Sequence, residues 1–323
     1  MFQASDGVAL HVEDSADASA PVTVLLTHGW TSDNRVWDAV APRIPHRVIR
    51  FDHRGHGSSG HGEATLERLG DDLAELIAAA VPEGRLVLVG HSMGGMAMMA
   101  LAARHPDLVR SRVHAAFFVS TSSGRMAEIT FGLPRPLVKA AMALRKRLGR
   151  PRRPASAVTT PQHPRRSAPA ETAPHRPARA ETAPHRPAPA ETAVASAPKP
   201  PRRPSPLQAR AQLAFLRWLL FGTRYDRADL LSVADQLRVV HRRSAAALRS
   251  SINRHAAAEA LRVYRDVPTQ ILTGERDRLI PAEHSRAIAA ELPDAELVVY
   301  PNAGHMLPYE RVDDLVARVL AAV

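Results

Sequence analysis

The sequence predicts an α/β fold: a mostly parallel sheet with helices on both faces. Three observations carry that prediction. Short runs of apolar residues such as Leu86-Val87-Leu88-Val89 recur, the pattern of strands buried on both sides. Longer stretches with an apolar stripe at helical spacing separate them. The two kinds alternate near both ends of the chain, which is the order of a parallel sheet with helical crossovers. At 323 residues and 45% hydrophobic composition, the chain is long enough for one large domain or two small ones.

Residues 8–13 alternate and predict an early strand. Residues 22–27 are a fully apolar strand ended by His28-Gly29-Trp30. Residues 34–44 predict a helix and 47–51 a strand. Asp52-His53-Arg54-Gly55-His56-Gly57-Ser58-Ser59-Gly60 is a polar, glycine-rich loop. Residues 65–81 predict a helix with Leu66, Leu69, Leu73, Leu76 and Ile77 on one stripe. The strand over 86–89 runs into Gly90-His91-Ser92-Met93-Gly94-Gly95, and a helix follows over 96–104. Residues 113–120 are another strand. The alternation stops near Thr121 and resumes with a strand at 269–273 that leads into Gly274-Glu275-Arg276-Asp277. A helix over 282–292, a strand over 296–300, the loop Pro301-Asn302-Ala303-Gly304-His305 and a helix over 312–322 complete the chain.

Ser92 therefore stands on a sharp turn between strand and helix. A serine hydroxyl is a weak nucleophile at neutral pH and needs a base. Histidine has the right pKa for that work, and a carboxylate must fix its tautomer. Asp277 and His305 each follow a strand, at the carboxyl edge where open α/β sheets build their sites. Their order is Ser, Asp, His. Most of the 16 histidines must be bystanders. His91 is expected to point into the sheet as packing. His53 and His56 are read as structural parts of their loop, and Asp52 as the residue that orders it. No carboxylate lies at metal-ligand spacing from them, so no metal is expected. No lysine follows the glycine-rich loop to make a phosphate cradle, and no cofactor is expected. Glu275 is the second choice of acid, expected to face away from His305. Asp266 and Asp294 precede their strands and lie at the wrong edge.

With His28-Gly29-Trp30, the loop from Asp52 to Ser58, Gly90-His91-Ser92-Met93-Gly94-Gly95, Gly274-Glu275-Arg276-Asp277 with Pro281, and Gly304-His305, the chain resembles an α/β-hydrolase, serine esterase and lipase members included. The resemblance covers about residues 8–120 and 262–323. It implies that Ser92 is the nucleophile, Asp277 the acid and His305 the base. It also implies an oxyanion hole made by the backbone N–H groups of Met93 and Trp30. One such donor is worth about 3–4 kcal/mol in the transition state. Pocket residues on this reading are His28, Trp218 and Met306.

The implied layout is a core over 1–120 and 262–323 with a helical lid over 121–261. Residues 207–221 are a candidate lid helix. A second helix over 135–148 is amphipathic and basic; it is read as a lid helix packed on the core, ahead of a surface for anionic lipid. Within the lid, about 149–206, lies a Pro-, Arg- and Ala-rich insertion carrying a ten-residue repeat at 168–177 and 178–187 with a truncated copy from Ala188. Such a stretch buries too little apolar surface to offset its ordering entropy and is expected to be disordered. Residues 145–206 hold 14 Lys and Arg against three Glu, which accounts for the whole net charge of +11. The remainder is balanced, so the basic charge says nothing about the site. The insertion lacks aromatics for base stacking, so no specific nucleic-acid binding is expected, only weak contact with anionic partners such as a membrane surface.

The lack of cysteines excludes disulfides and does not report the redox compartment. There is no apolar run long enough to span a membrane and no basic-then-apolar leader at Met1, so a cytoplasmic location is expected. The expected function is hydrolysis of small or medium carboxylic esters through an acyl-enzyme on Ser92, with neutral aliphatic acyl groups favoured by the apolar lid. The alternatives are another Ser-triad reaction (thioester, lactone, peptide or C–C bond hydrolysis, or perhydrolysis) and a non-catalytic ligand-binding member of the fold. Dehalogenase and epoxide-hydrolase relatives carry an aspartate where Ser92 stands.

Overall fold

The structure, a computed structural model, describes residues 1–15, 20–129 and 205–323. They all belong to one compact unit. The basic helix expected over 135–148 and nearly all of the expected insertion therefore lie outside the described residues.

The chain begins with β1 (Phe2–Gln3), β2 (Ala9–Leu10) and β3 (Val12–Asp14). The strand expected over 8–13 is thus split at His11. Its N–H goes to Ser59 Oγ at 2.8 Å and its carbonyl accepts from Asp52 N at 2.9 Å, so both groups are engaged by the glycine-rich loop. The main sheet then builds from β4 (Val22–Thr27), β5 (Arg47–Phe51), β6 (Arg85–His91), β7 (Val113–Val119), β8 (Thr269–Gly274) and β9 (Glu296–Tyr300). Its order is β3-β5-β4-β6-β7-β8-β9, parallel throughout except for antiparallel β3.

Successive residues on a strand face opposite sides, and here both sides are covered. Leu25, Ile49, Leu88, Phe118 and Ile271 enter one apolar cluster. Val24, Leu26, Val48, Val87, Val89, Phe117, Val119 and Leu272 enter the other. This explains why the strands read as continuous apolar runs.

Helix α1 (Leu66–Ala80) starts where the Thr65 side chain accepts from Arg68 N, and its predicted leucine stripe is buried. Helices α2 (Met93–Arg104) and α3 (Pro106–Arg112) follow β6. The helix expected over 34–44 is instead two 3-10 turns, Asn34–Trp37 and Ala41–Arg43. Pro42 cannot donate to a preceding carbonyl, and Asn34 N–H is captured by the Asp52 carboxylate at 2.7 Å.

After residue 204 come α4 (Pro206–Leu220), α5 (Arg227–Val239) and α6 (Arg242–Arg254), with no named strand among them. A capping box between Ser205 and Gln208, with Pro206 in the first turn, starts α4. Helices α7 (Ala282–Glu291), α8 (Leu307–Glu310) and α9 (Val312–Ala321) complete the chain. Among the described residues no helix is long and apolar enough to cross a membrane.

The glycine-rich loop is anchored by charge. Arg54 is fully buried, paired with Asp72 of α1 at 2.6 Å and with Asp6 at 2.7 Å. Removing one partner of such a buried pair costs about 3–5 kcal/mol, because the other charge is left without compensation. Asp52 accepts from Asn34 N and Ser58 N, so it orders its own loop as the sequence suggests.

Candidate active site

Ser92 lies between β6 and α2 with φ 54° and ψ −116°, a conformation costly for any residue with a side chain. Its surroundings enforce it. Ser92 N donates to Val119 O at 2.8 Å, and Ser92 O accepts from Thr121 Oγ1 at 2.6 Å. The flanking glycines are required by space. A Cβ on Gly94 would lie 2.3 Å from Thr27 Oγ1, and one on Gly90 2.5 Å from Met98 Sδ.

Asp277 follows β8 and is buried. Its Oδ1 accepts from Leu279 N at 2.9 Å and Ile280 N at 2.7 Å, while Oδ2 accepts from His305 Nδ1 at 2.7 Å. That bond puts the proton on Nδ1 and leaves Nε2 as the acceptor nitrogen. Ser92 and His305 line the same cavity of about 220 Å³. No hydrogen bond joins their side chains; such contacts commonly tighten when substrate binds. Met93 and Trp30 also line the cavity, and neither backbone N–H meets a hydrogen-bond partner among the described residues. Met93 is the first residue of α2, where N–H groups lack intrahelical partners and the helix dipole favours negative charge.

The rest of the wall is largely apolar, with Leu216, Leu219 and Leu220 of α4 prominent in it. Met306 lines it. Trp218 does not. It sits on the opposite side of α4 from that leucine stripe, 37% exposed, with the Arg278 guanidinium 5.2 Å from its ring centre. His28 is also outside the lining. It is fully buried, its Nδ1 bonded to Gly29 O at 2.8 Å and its Nε2 accepting from His53 N at 2.9 Å, so it braces the neighbouring loop instead. Glu275 accepts from Asn302 N at 3.0 Å and makes no bond to His305. A larger cavity of about 770 Å³, lined in part by Arg104, His255 and His284, contains none of Ser92, Asp277 and His305.

His91, expected to point into the sheet as packing, lies instead at the cavity, and Arg249 and Glu310 are two residues that the sequence does not single out. His91 lines the cavity, and its Nε2 donates to His305 O at 3.0 Å. Adjacency to Ser92 was the available signal. Arg249 of α6 also lines the cavity, its guanidinium 5.2 Å from the Trp30 ring centre. Glu310 accepts from Gly304 N, next to His305.

Burial shapes the titration of the polar core. It pushes His28 down to about 4, and His56 and His91 to about 3, with neighbouring imidazoles adding to the effect on the last two. His53 is lowered by the same causes, burial first. Folded, these rings stay neutral; unfolded, they take up protons below about pH 6.5. Their contribution to stability is complete above that pH and is lost as pH falls toward 4. The urea midpoint is expected to drop steeply between about pH 6.5 and pH 4. A midpoint constant over that range contradicts neutral burial of the four rings.

A family model described as "alpha/beta hydrolase fold" matches residues 22–312. The chain belongs to that family. Among similar proteins, a 2-(acetamidomethylene)succinate hydrolase of Mesorhizobium japonicum is 40% identical over 94 residues, 28% of this chain and 34% of that one. An sn-1-specific diacylglycerol lipase of Mus musculus is 40% identical over 104 residues, 30% of this chain and 33% of that one. The matches thus span about a third of the length of these curated relatives. Among solved structures, an esterase of Exiguobacterium antarcticum aligns with a TM-score of 0.66 at 16% identity, over 99% of this chain and 97% of that one. That likeness is one of fold. The α/β-hydrolase architecture and its mostly parallel sheet are those expected from the sequence.

Proposed function

We propose that the protein is a serine hydrolase of carboxylic esters with small or medium acyl groups. One observation carries this reading: the strained Ser92 shares a cavity with a His305 whose Nδ1 is held by the buried Asp277 at 2.7 Å. Ser92 Oγ attacks the ester carbonyl while His305 Nε2 takes its proton. The oxyanion forms against the Trp30 and Met93 N–H groups, and Asp277 stabilises the imidazolium. Collapse expels the alcohol, which receives the proton from His305. Water, activated by the same imidazole, then frees the acid from Ser92. The similar protein named as a diacylglycerol lipase supports the reading.

The size of the cavity and its leucine-rich wall favour a short aliphatic chain. With p-nitrophenyl esters from acetate to laurate, kcat/KM is expected to peak at butyrate or hexanoate and fall beyond. A rate that climbs steadily to laurate contradicts a short-chain pocket. Arg249 supports a second reading, in which the substrate carries a carboxylate that the guanidinium pairs. Including p-nitrophenyl hemiglutarate in the panel tests it. On this reading the hemiester exceeds its neutral isostere, p-nitrophenyl valerate.

A further inference from the structure

The loop that carries His305 is joined to the end of α4 by an uncommon density of main-chain bonds. The last carbonyls of a helix have no intrahelical partner. Here Leu220 O accepts from His305 N at 2.7 Å and from Met306 N at 3.2 Å. Just beyond the helix, Thr223 N donates to Asn302 O at 2.9 Å. The two segments lie so close that a Cβ on Gly222 would sit 1.9 Å from Asn302 O, and one on Gly304 2.5 Å from the Phe221 carbonyl carbon. One side chain spans the seam. Glu310 Oε2 accepts from Gly222 N at 2.8 Å and from Gly304 N at 3.0 Å, and its Oε1 takes Gly304 N at 2.9 Å. Burial pushes the Glu310 carboxyl up, while these N–H groups favour its ionised form.

We propose that Glu310 is a positioning residue that clamps the His305 loop to the C-terminal end of α4, so that the cavity wall and the base are held in register as one unit. Leu216, Leu219 and Leu220 of that helix form part of the wall, and His305 is the next residue after the clamped Gly304. Glu310 makes no bond to Ser92 and is not itself a lining residue; its carboxylate acts through Gly304 and Gly222, while its backbone N–H donates to Met306 O at 2.9 Å. The inference rests on His305 being the general base. The clamp itself is a statement about two backbone segments and can be read without turnover.

The test compares wild type, Glu310→Ala and Glu310→Gln by kinetics on p-nitrophenyl butyrate and by hydrogen–deuterium exchange. In Glu310→Ala, kcat is expected to fall about 10²-fold, the cost of a small misplacement of a reacting group, with KM within about threefold of wild type. Segments 216–225 and 301–306 are expected to exchange faster together, while α9 keeps its protection. Glu310→Gln retains one acceptor oxygen and is expected to fall between the two in both readouts. Wild-type kcat in Glu310→Ala overturns the positioning role. Faster exchange in only one of the two segments overturns the clamp. Where Glu310→Ala does not fold, Glu310→Gln decides: unchanged exchange in both segments overturns the proposal. A wild type inactive on every ester refutes the ester reading and leaves the exchange experiment to decide the clamp.

Discussion

Ser92→Ala is expected to lower p-nitrophenyl butyrate hydrolysis by about 10⁵–10⁶-fold while leaving the fold intact. The size follows from the role: without the hydroxyl no acyl-enzyme forms, and what remains is binding and oxyanion stabilisation of direct attack by water. Structure is spared because the substitution keeps the Cβ and removes an oxygen that makes no hydrogen bond among the described residues. The backbone bonds that hold the elbow, Ser92 N to Val119 O and Thr121 Oγ1 to Ser92 O, are untouched. Purified variant and wild type would be compared for turnover and for urea midpoint. Turnover within tenfold of wild type refutes the role.

Asp277→Asn is expected to lower kcat by about 10⁴-fold. The local bonds say why the loss is so large for a one-atom change. Oδ1 is held by two backbone donors, Leu279 N and Ile280 N, so an asparagine keeps its carbonyl oxygen there. Its amide N–H₂ then occupies the place of Oδ2 and faces His305 Nδ1. The imidazole must present Nδ1 as an acceptor, which moves its proton to Nε2. In that tautomer it cannot take the serine proton. Stability should change little, since the two backbone bonds remain. A kcat within tenfold of wild type would mean that Asp277 does not set the tautomer.

The site was legible where chemistry and chain order coincide. Ser92, Asp277 and His305 each follow a strand of a parallel sheet, and such positions converge on one edge whatever the intervening sequence. Met306 was legible by adjacency. His28 and Trp218 were not, for different reasons. The first depends on which way a side chain turns at a strand end, and His28 turns toward the amide of His53. The second depends on the rotation of α4 about its axis. Apolar content alone does not fix that rotation on a helix with apolar residues on several sides. Arg249 and Glu310 escaped notice because each meets its partners across the sequence: Arg249 over Trp30, Glu310 under Gly222.

In the fold the same division holds. The strands buried on both faces were plain as apolar runs. The turns over 34–44 were not, since Pro42 and the capture of Asn34 N by Asp52 override a helical pattern. His11 divides its strand through a bond to Ser59, 48 residues away.

The central claim is that Ser92 is a nucleophile activated in place by the fold. Incubating the native protein with a fluorophosphonate probe and mapping the adduct by mass spectrometry tests it most directly. One adduct, on the peptide containing Ser92 and absent after urea denaturation, is the expected result. An adduct on another residue, or none on the native protein, would contradict it.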